Sequence, residues 1–492
     1  MCIVISPFIL SHLGIAILQP WKKVAEFRKT IIPPFSTPNR EKGYLSSSVL
    51  IRDMVICDLT RILQLDDVAD RISKLNQKVL TCKLHVTAGP DSATGFTHYN
   101  QTGFLKEDDS LLSEHFMSLL LVSERGEDIW RNPNPQSDSF CRIRSMNWTK
   151  ETNSLTKSMF EQFFAEVDSL NLDPVEVISG DLRVCVYISA MYTMIDGKAA
   201  NAIVGNQDTH VCPLCVPNAD PHIGPSFFHS RLNAVEWLIK NAAKKSVPDH
   251  PAYTNPLVKK KAREIPDELE REYGMNINRP KIGGSGSCNN GNMAHRLLAE
   301  PGKFAKIIGV HKDLVENLRL ISCLALSSRV LDPTKVMELY NTLEKQIFNE
   351  FPYLMKLPPS IHKYMHLANF IEKLPYTMNF VDEQSSERCH KVYKFIRPHL
   401  ARKTSPEENL TDMMTEALTR SDPKLACFFN QSRQSRSTDA RFEERLDEYT
   451  LKQDDSDENH GKADDSGELI EESDEEDDDP GELNEESDEE DI

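Results

Sequence analysis

Apolar and polar positions change their period several times along this 492-residue chain. Residues 21–75 mix Pro, Ser and charge and then turn amphipathic, with Leu59, Ile62, Leu63, Val68 and Ile72 at helical spacing. That predicts a short helical lead-in. Residues 79–87 are rich in strand formers and run into Gly89, Pro90 and Asp91, so a strand is expected with Asp91 at its exit. A second apolar run, 116–122, precedes a polar turn at 123–128 and reads as another strand. Met159, Phe160, Phe163, Phe164, Val167 and Leu170 then recur with helical period. Next, Leu182, Val184, Val186 and Ile188 alternate with Arg183, Cys185 and Tyr187 as in a strand heading for Asp196. From about 226 to 430 the period is almost wholly helical, broken by Gly283, Gly284 and Gly286 and by Pro358 and Pro359. Strands, a helix and a further strand, followed by helices, predict a mixed α/β core that delivers two aspartates at strand ends.

Charge sharpens this division. The formal net charge is −19, but residues 451–492 hold 22 acidic and 2 basic residues, so that segment alone carries −20 and the rest is close to neutral. The overall acidity therefore does not exclude a nucleic-acid partner for the folded part. The region from about 431 onward is Ser, Asp and Glu with scarcely an aromatic, and it is expected to be disordered. It contains a duplication, 467–477 against 481–491. The 11 cysteines are odd in number and scattered, which argues against a disulfide framework and for a reducing compartment. Residues 1–20 are apolar with no Lys or Arg ahead of them, so a core strand or a stretch outside the folded protein fits better than a secretory signal. No other run approaches the ~20 apolar residues of a spanning helix, and no membrane partner is expected.

Two chemistries stand out. Cys212 and Cys215, separated by Pro213 and Leu214, are spaced as one half of a tetrahedral zinc site. The other half is open between His362 with His366, four apart on one helical face, and a local set drawn from His210, His222 and His229. A redox pair would ordinarily open a helix in a thioredoxin-like βαβ unit, which the pattern does not show. The second chemistry is two-metal phosphodiester cleavage, which needs carboxylates converging from separate elements on hard, oxygen-seeking cations. Asp91, Asp196 and a helical Glu could supply them, but pattern alone does not select them from 76 acidic residues.

At these positions the chain resembles the catalytic core of Transib transposases and of V(D)J recombination-activating protein 1. Asp91 is followed by small residues, Gly95, and an ending on Tyr99 and Gln101. Asp196, with Gly197 and Lys198, leads within about fifteen residues to Cys212 and Cys215. Residues 288–297 are similar to an Asn-Gly-Asn segment of the family's helical insertion. His362 with His366, then Glu387 with Arg388, then the basic and aromatic stretch 391–397, follow in the family's order.

The resemblance implies an RNase H-like fold with a mostly helical zinc-binding insertion. It implies Asp91, Asp196 and Glu387 as ligands of Mg²⁺ or Mn²⁺, and Cys212, Cys215, His362 and His366 as a structural Zn²⁺ site. Arg296, Lys391, Lys394 and Arg397 become candidate phosphate contacts. The parts expected are a lead-in (1–75), a first core segment (76–205), the insertion (206–375), the segment carrying Glu387 (376–430) and the acidic tail (431–492). The expected activity is divalent-metal-dependent DNA nicking and strand transfer, acting on double-stranded DNA as a homodimer, with room for an accessory subunit. The alternative is a catalytically inactive, transposase-derived protein that binds DNA or chromatin. Either function, together with the basic cluster Lys259, Lys260, Lys261 and Arg263, implies a nuclear protein.

Overall fold

The structure, a computed structural model, describes residues 21–96, 105–206, 211–217, 219–224, 227–245, 254–275, 277, 289, 291–381, 383–430 and 440–451. Residues 1–20, Tyr99, Gln101, His210 and Cys288 lie outside them.

The chain begins with α1 (Trp21–Ile31), β1 (Leu45–Ser48), α2 (Ile51–Ile62) and α3 (Asp66–Leu75). The core sheet follows: β2 (Val79–Ala93), β3 (Leu111–Ser123), β4 (Asp128–Arg131) and β5 (Arg142–Trp148), then helix α4 (Asn153–Leu172) and the strands β6 (Val175–Ser179) and β7 (Leu182–Tyr192). The seven strands form one mixed sheet in the order β1-β5-β3-β2-β7-β6, with β4 on β3. β3 runs antiparallel to its neighbours β2 and β5, whereas β7 returns parallel to β2 after the α4 crossover. The architecture is mixed α/β, as the alternation of periods implied.

Two differences from the sequence reading matter. The segment 21–75 contributes to the common core, because β1 pairs with β5 and α2 is tied down by buried charge. Asp58 meets Arg142 of β5 at 3.0 Å and accepts from Ser118, and Arg61 meets Asp422 at 2.7 Å. Burial pushes the Asp58 carboxyl up to about 6, with Arg142 pulling the other way. Strand β2 also continues beyond the expected exit, through Asp91 to Ala93, because β3 pairs with it from Cys82 to Ala93. Pro90 is tolerated since the ladder to β7 has already ended at Ala88.

α4 covers one face of the sheet, where Phe160 and Phe163 pack on Tyr192, and the Tyr192 hydroxyl donates to buried Glu114 at 2.8 Å. After α5 (Gly197–Ile203) the elements among the described residues are helices: α6 (Phe228–Lys245), α7 (Pro256–Tyr273), α8 (Gly291–Ala299), α9 (Pro301–Ile308), α10 (Lys312–Leu324), α11 (Pro333–Glu350), α12 (Pro359–His362) with a 3₁₀ turn Lys363–His366, and α13 (Leu367–Lys373). α14 (Gln384–His399) then returns to the sheet, followed by α15 (Pro406–Arg420), α16 (Pro423–Asn430) and α17 (Ala440–Asp447).

The disordered tail expected from 431 needs a correction. Residues 440–451 are folded: Phe442 and Leu446, one turn apart, are buried, and Arg319 stacks on Phe442 at 3.8 Å. Arg329 pairs with both Glu443 and Asp447, and Leu331 bridges Thr450. Acidic composition masked an amphipathic helix whose charges have partners. Residues 452–492 lie outside the described residues. No helix among the described residues is long and apolar enough to cross a membrane.

Candidate functional site

Parallel pairing decides where the two aspartates go. Ala88 of β2 lies opposite Tyr192 of β7, and both strands leave the sheet in the same direction. Asp91 follows by three residues and Asp196 by four, so both emerge at one corner. Gly89 makes the approach possible: a Cβ there would stand 2.1 Å from the carbonyl oxygen of Met194. The Met194 amide donates to Ala88 at 3.1 Å, and Thr87 and Thr193 share a buried hydroxyl contact of 2.6 Å. Asp196 caps α5, accepting from the Ala199 amide at 2.7 Å.

α14 lies over the face of the sheet opposite α4. Ser385, Ser386, Cys389, Tyr393, Ile396 and Arg397 form its buried stripe, at helical spacing. Ser385 reaches the Met194 sulfur at 3.5 Å, so the start of the helix touches the loop that carries Asp196. Glu387 sits in the first turn, half-buried. One turn on, His390 brings its Nδ1 to 3.6 Å from Asp91 Oδ2 and its Nε2 to 3.2 Å from the Ser113 hydroxyl. Burial lowers the His390 imidazole to about 4, and the nearby Glu387 carboxylate opposes that. Asp91, Asp196 and Glu387 thus share a corner, yet among the described residues they do not form a group whose ligand atoms all lie within 4.8 Å.

Two residues at this corner were not singled out in the sequence. His390 is one, linking the surroundings of Asp91 and Glu387. Glu151, just past β5, is the other: its Oε2 accepts from Ser92 at 3.1 Å and from Lys198 at 2.7 Å, joining the neighbours of both aspartates. Neither carried a local signal, since both depend on which segments meet across the fold.

The four thiol and imidazole donors do converge. Cys215 Sγ is 3.2 Å from the Nε2 of both His362 and His366, and Cys212 Sγ is 3.6 Å from His366 Nε2. All four donor atoms lie within 4.8 Å of one another. Tetrahedral zinc with ordinary bond lengths would separate S and N donors by about 3.6 Å, so the geometry fits such an ion. Burial pushes the Cys212 thiol up to about 11 and the His366 imidazole down to about 4, which keeps the ring in its ligand-competent neutral form. Of the alternative histidines, His222 instead packs its ring on Phe164 at 4.5 Å. His210 and the side chain of His229 lie outside the described residues. The cluster ties the loop after α5 to the end of α12 and its 3₁₀ turn.

The candidate phosphate contacts separate. Lys391 and Lys394 are exposed on α14, and Arg296 is exposed on α8 with a 3.0 Å bond to the Tyr273 carbonyl. Arg397 is a correction. It is 5% exposed, donates to the Asp108 carbonyl at 2.8 Å and stacks at 4.0 Å on Trp148. Burial lowers its guanidinium to about 10. Helical periodicity could have warned of this, because Arg397 falls four residues after Tyr393 on the buried stripe.

No family model matches the chain, and no curated protein does. Among solved structures, the Drosophila P element transposase strand transfer complex aligns over 85% of this chain and 89% of that one, at 9% identity and a TM-score of 0.27.

Proposed function

We propose that this chain is a DDE-type DNA transposase or recombinase core, cutting DNA and transferring strands with Asp91, Asp196 and Glu387 as ligands of Mg²⁺ or Mn²⁺. The observation that carries the reading is the corner itself. A parallel strand pair carries Asp91 and Asp196 out of the sheet in the same direction, and α14 returns to the same loop through Ser385, two residues before Glu387. Three antiparallel strands, a crossover helix and a strand parallel to the first support the RNase H-like assignment. The motif order along the chain supports the recombinase class.

In this reading the metal ions would activate the attacking oxygen and stabilise the leaving one. The chain's own residues do the rest. His390 holds Asp91 through its ring, and Glu151 with Lys198 and Ser92 braces the loop and strand that present the aspartates. Lys391 and Lys394 extend a basic edge from Glu387 along α14, suited to a phosphate backbone. Cys212, Cys215, His362 and His366 would hold a structural Zn²⁺ that staples the helical part to the core, with all four positions supplied by protein. Double-stranded DNA as partner, a homodimer and nuclear residence belong to the same proposal.

An inactive, DNA-binding descendant is the second reading, favoured by the wider spacing of the three carboxylates compared with the close Cys/His group. Incubation with supercoiled plasmid separates the two. The proposal expects nicked and linear product with Mg²⁺ or Mn²⁺ and none in chelator. Binding without cleavage across both metals would favour the second reading.

A further inference from the structure

Beneath α14, on the face of the sheet that carries Asp91, lies a second group of metal-ligand atoms. His115 comes from β3, Cys141 from the residue before β5, and Cys389 from α14. All three are buried, and one donor atom from each lies within 4.8 Å of the other two. Segments far apart in sequence therefore meet on one small polar spot inside an apolar layer.

The histidine is the informative member. Its ring is wholly enclosed and stacks on Tyr393 at 5.9 Å with only 8° between the planes. Nε2 contacts the Tyr393 hydroxyl at 3.1 Å, but Nδ1 has no hydrogen-bond partner. A buried polar atom without a partner is uncommon in folded proteins and calls for an occupant or a price in stability. The two thiols face each other, and the Tyr393 hydroxyl also bonds Cys389, so the group is lined by a second layer of polar contact. Metal-bound histidines are commonly oriented through such outer partners.

We propose that His115, Cys141 and Cys389 form a second metal site, binding one Zn²⁺ between β3, the entry to β5 and α14. Two thiolates neutralise the ion, and the neutral imidazole adds a third donor. Both thiol protons leave to solvent as the metal enters. A monovalent soft ion such as Cu⁺ has suitable ligands but would leave a net negative charge in a wholly buried layer, which is unfavourable. Burial already holds the His115 imidazole well below its usual range, which favours the neutral ring that a metal needs. Cys389 lies two residues past Glu387, so the ion would lock the rotation of α14 against the sheet. The site is independent of nuclease activity and would serve an inactive protein equally.

Elemental analysis and Co²⁺ substitution of the full-length protein test this. The parent should bind about two zinc ions per chain, and Cys141→Ser and Cys389→Ser should each lower the count by about one. Cys212→Ser should also lower it by about one, through the other cluster, so failure of one site is distinguishable from failure of the other. If the serine variants do not fold, the parent alone decides: metal-free protein should take up about two equivalents of Co²⁺, each raising a thiolate-to-cobalt charge-transfer band. One equivalent in the parent, with the count unchanged in Cys389→Ser, would overturn the proposal. So would a Cys141–Cys389 disulfide found by mass spectrometry in protein purified with reductant, or uptake of copper in place of zinc.

Discussion

Gly89 carries a larger share of the site's construction than its size suggests. With Met194's carbonyl 2.1 Å from where a Cβ would stand, Gly89→Ala must push the loop bearing Asp196 away from the strand bearing Asp91. We expect a loss of about 3 kcal/mol in urea unfolding, in the upper range for overpacking, because backbone rather than a flexible side chain has to move. Arg397 and its neighbours offer a contrast on one helix. Arg397→Ala removes a buried bond to Asp108 and the stack on Trp148, and should cost roughly 2–3 kcal/mol of stability. Lys391→Ala and Lys394→Ala should leave unfolding unchanged within about 0.5 kcal/mol and weaken DNA binding across sequences, lowering the salt slope by about one per lysine. If Arg397→Ala were neutral for stability and selective for DNA binding, the burial argument would be wrong. His85 and His295 bear on pH. Burial brings each down to about 4 in the folded chain, below the value near 6.5 expected when unfolded. The unfolded state then binds more protons in between, so their contribution is complete above about pH 6.5 and is lost as pH falls toward 4. The His85→Gln, His295→Gln double variant should show a shallower fall in Tm across that interval.

At the scale of elements, local pattern was readable in β7 and α4, where one face is plainly apolar. The alternation from Leu182 to Ile188 lies within β7, and Met159 to Leu170 within α4. The CxxC spacing was readable for a different reason, since its ligand chemistry is local even though its histidine partners are 147 to 154 residues away. What could not be read depends on register between distant segments: His390 on Asp91, and Glu151 between Ser92 and Lys198. The fold of 440–451 was hidden by composition, because acidic residues signal disorder unless arginines such as Arg329 are placed to meet them. Truncation after residue 451 should therefore leave Tm unchanged, whereas truncation after residue 430 should lower it by about 4 °C or more, as calorimetry would show. If both truncations behaved alike, α17 would contribute nothing to the fold.

For the whole molecule, charge is the organising quantity. Residues 451–492 carry −20 against a nearly neutral remainder, so under the proposed function that segment would compete with DNA for the basic edge of α14. Removing 452–492 should tighten DNA binding and steepen its salt dependence, measured by titration across a salt series. Equal affinity throughout would limit the segment to keeping the protein soluble. The central claim is narrower and concerns three carboxylates at one corner of the sheet. Carboxylates gathered around a metal site repel one another until cations enter, so an amide at any of the three positions should relieve repulsion while removing a ligand. The most direct measurement compares Asp91→Asn, Asp196→Asn and Glu387→Gln with the parent for melting temperature and plasmid cleavage, in chelator and in Mn²⁺. Each variant should melt at or slightly above the parent in chelator, lose most of the stabilisation that Mn²⁺ gives the parent, and cut no DNA. Three variants that cleave as the parent does would contradict the account and assign any activity to another site.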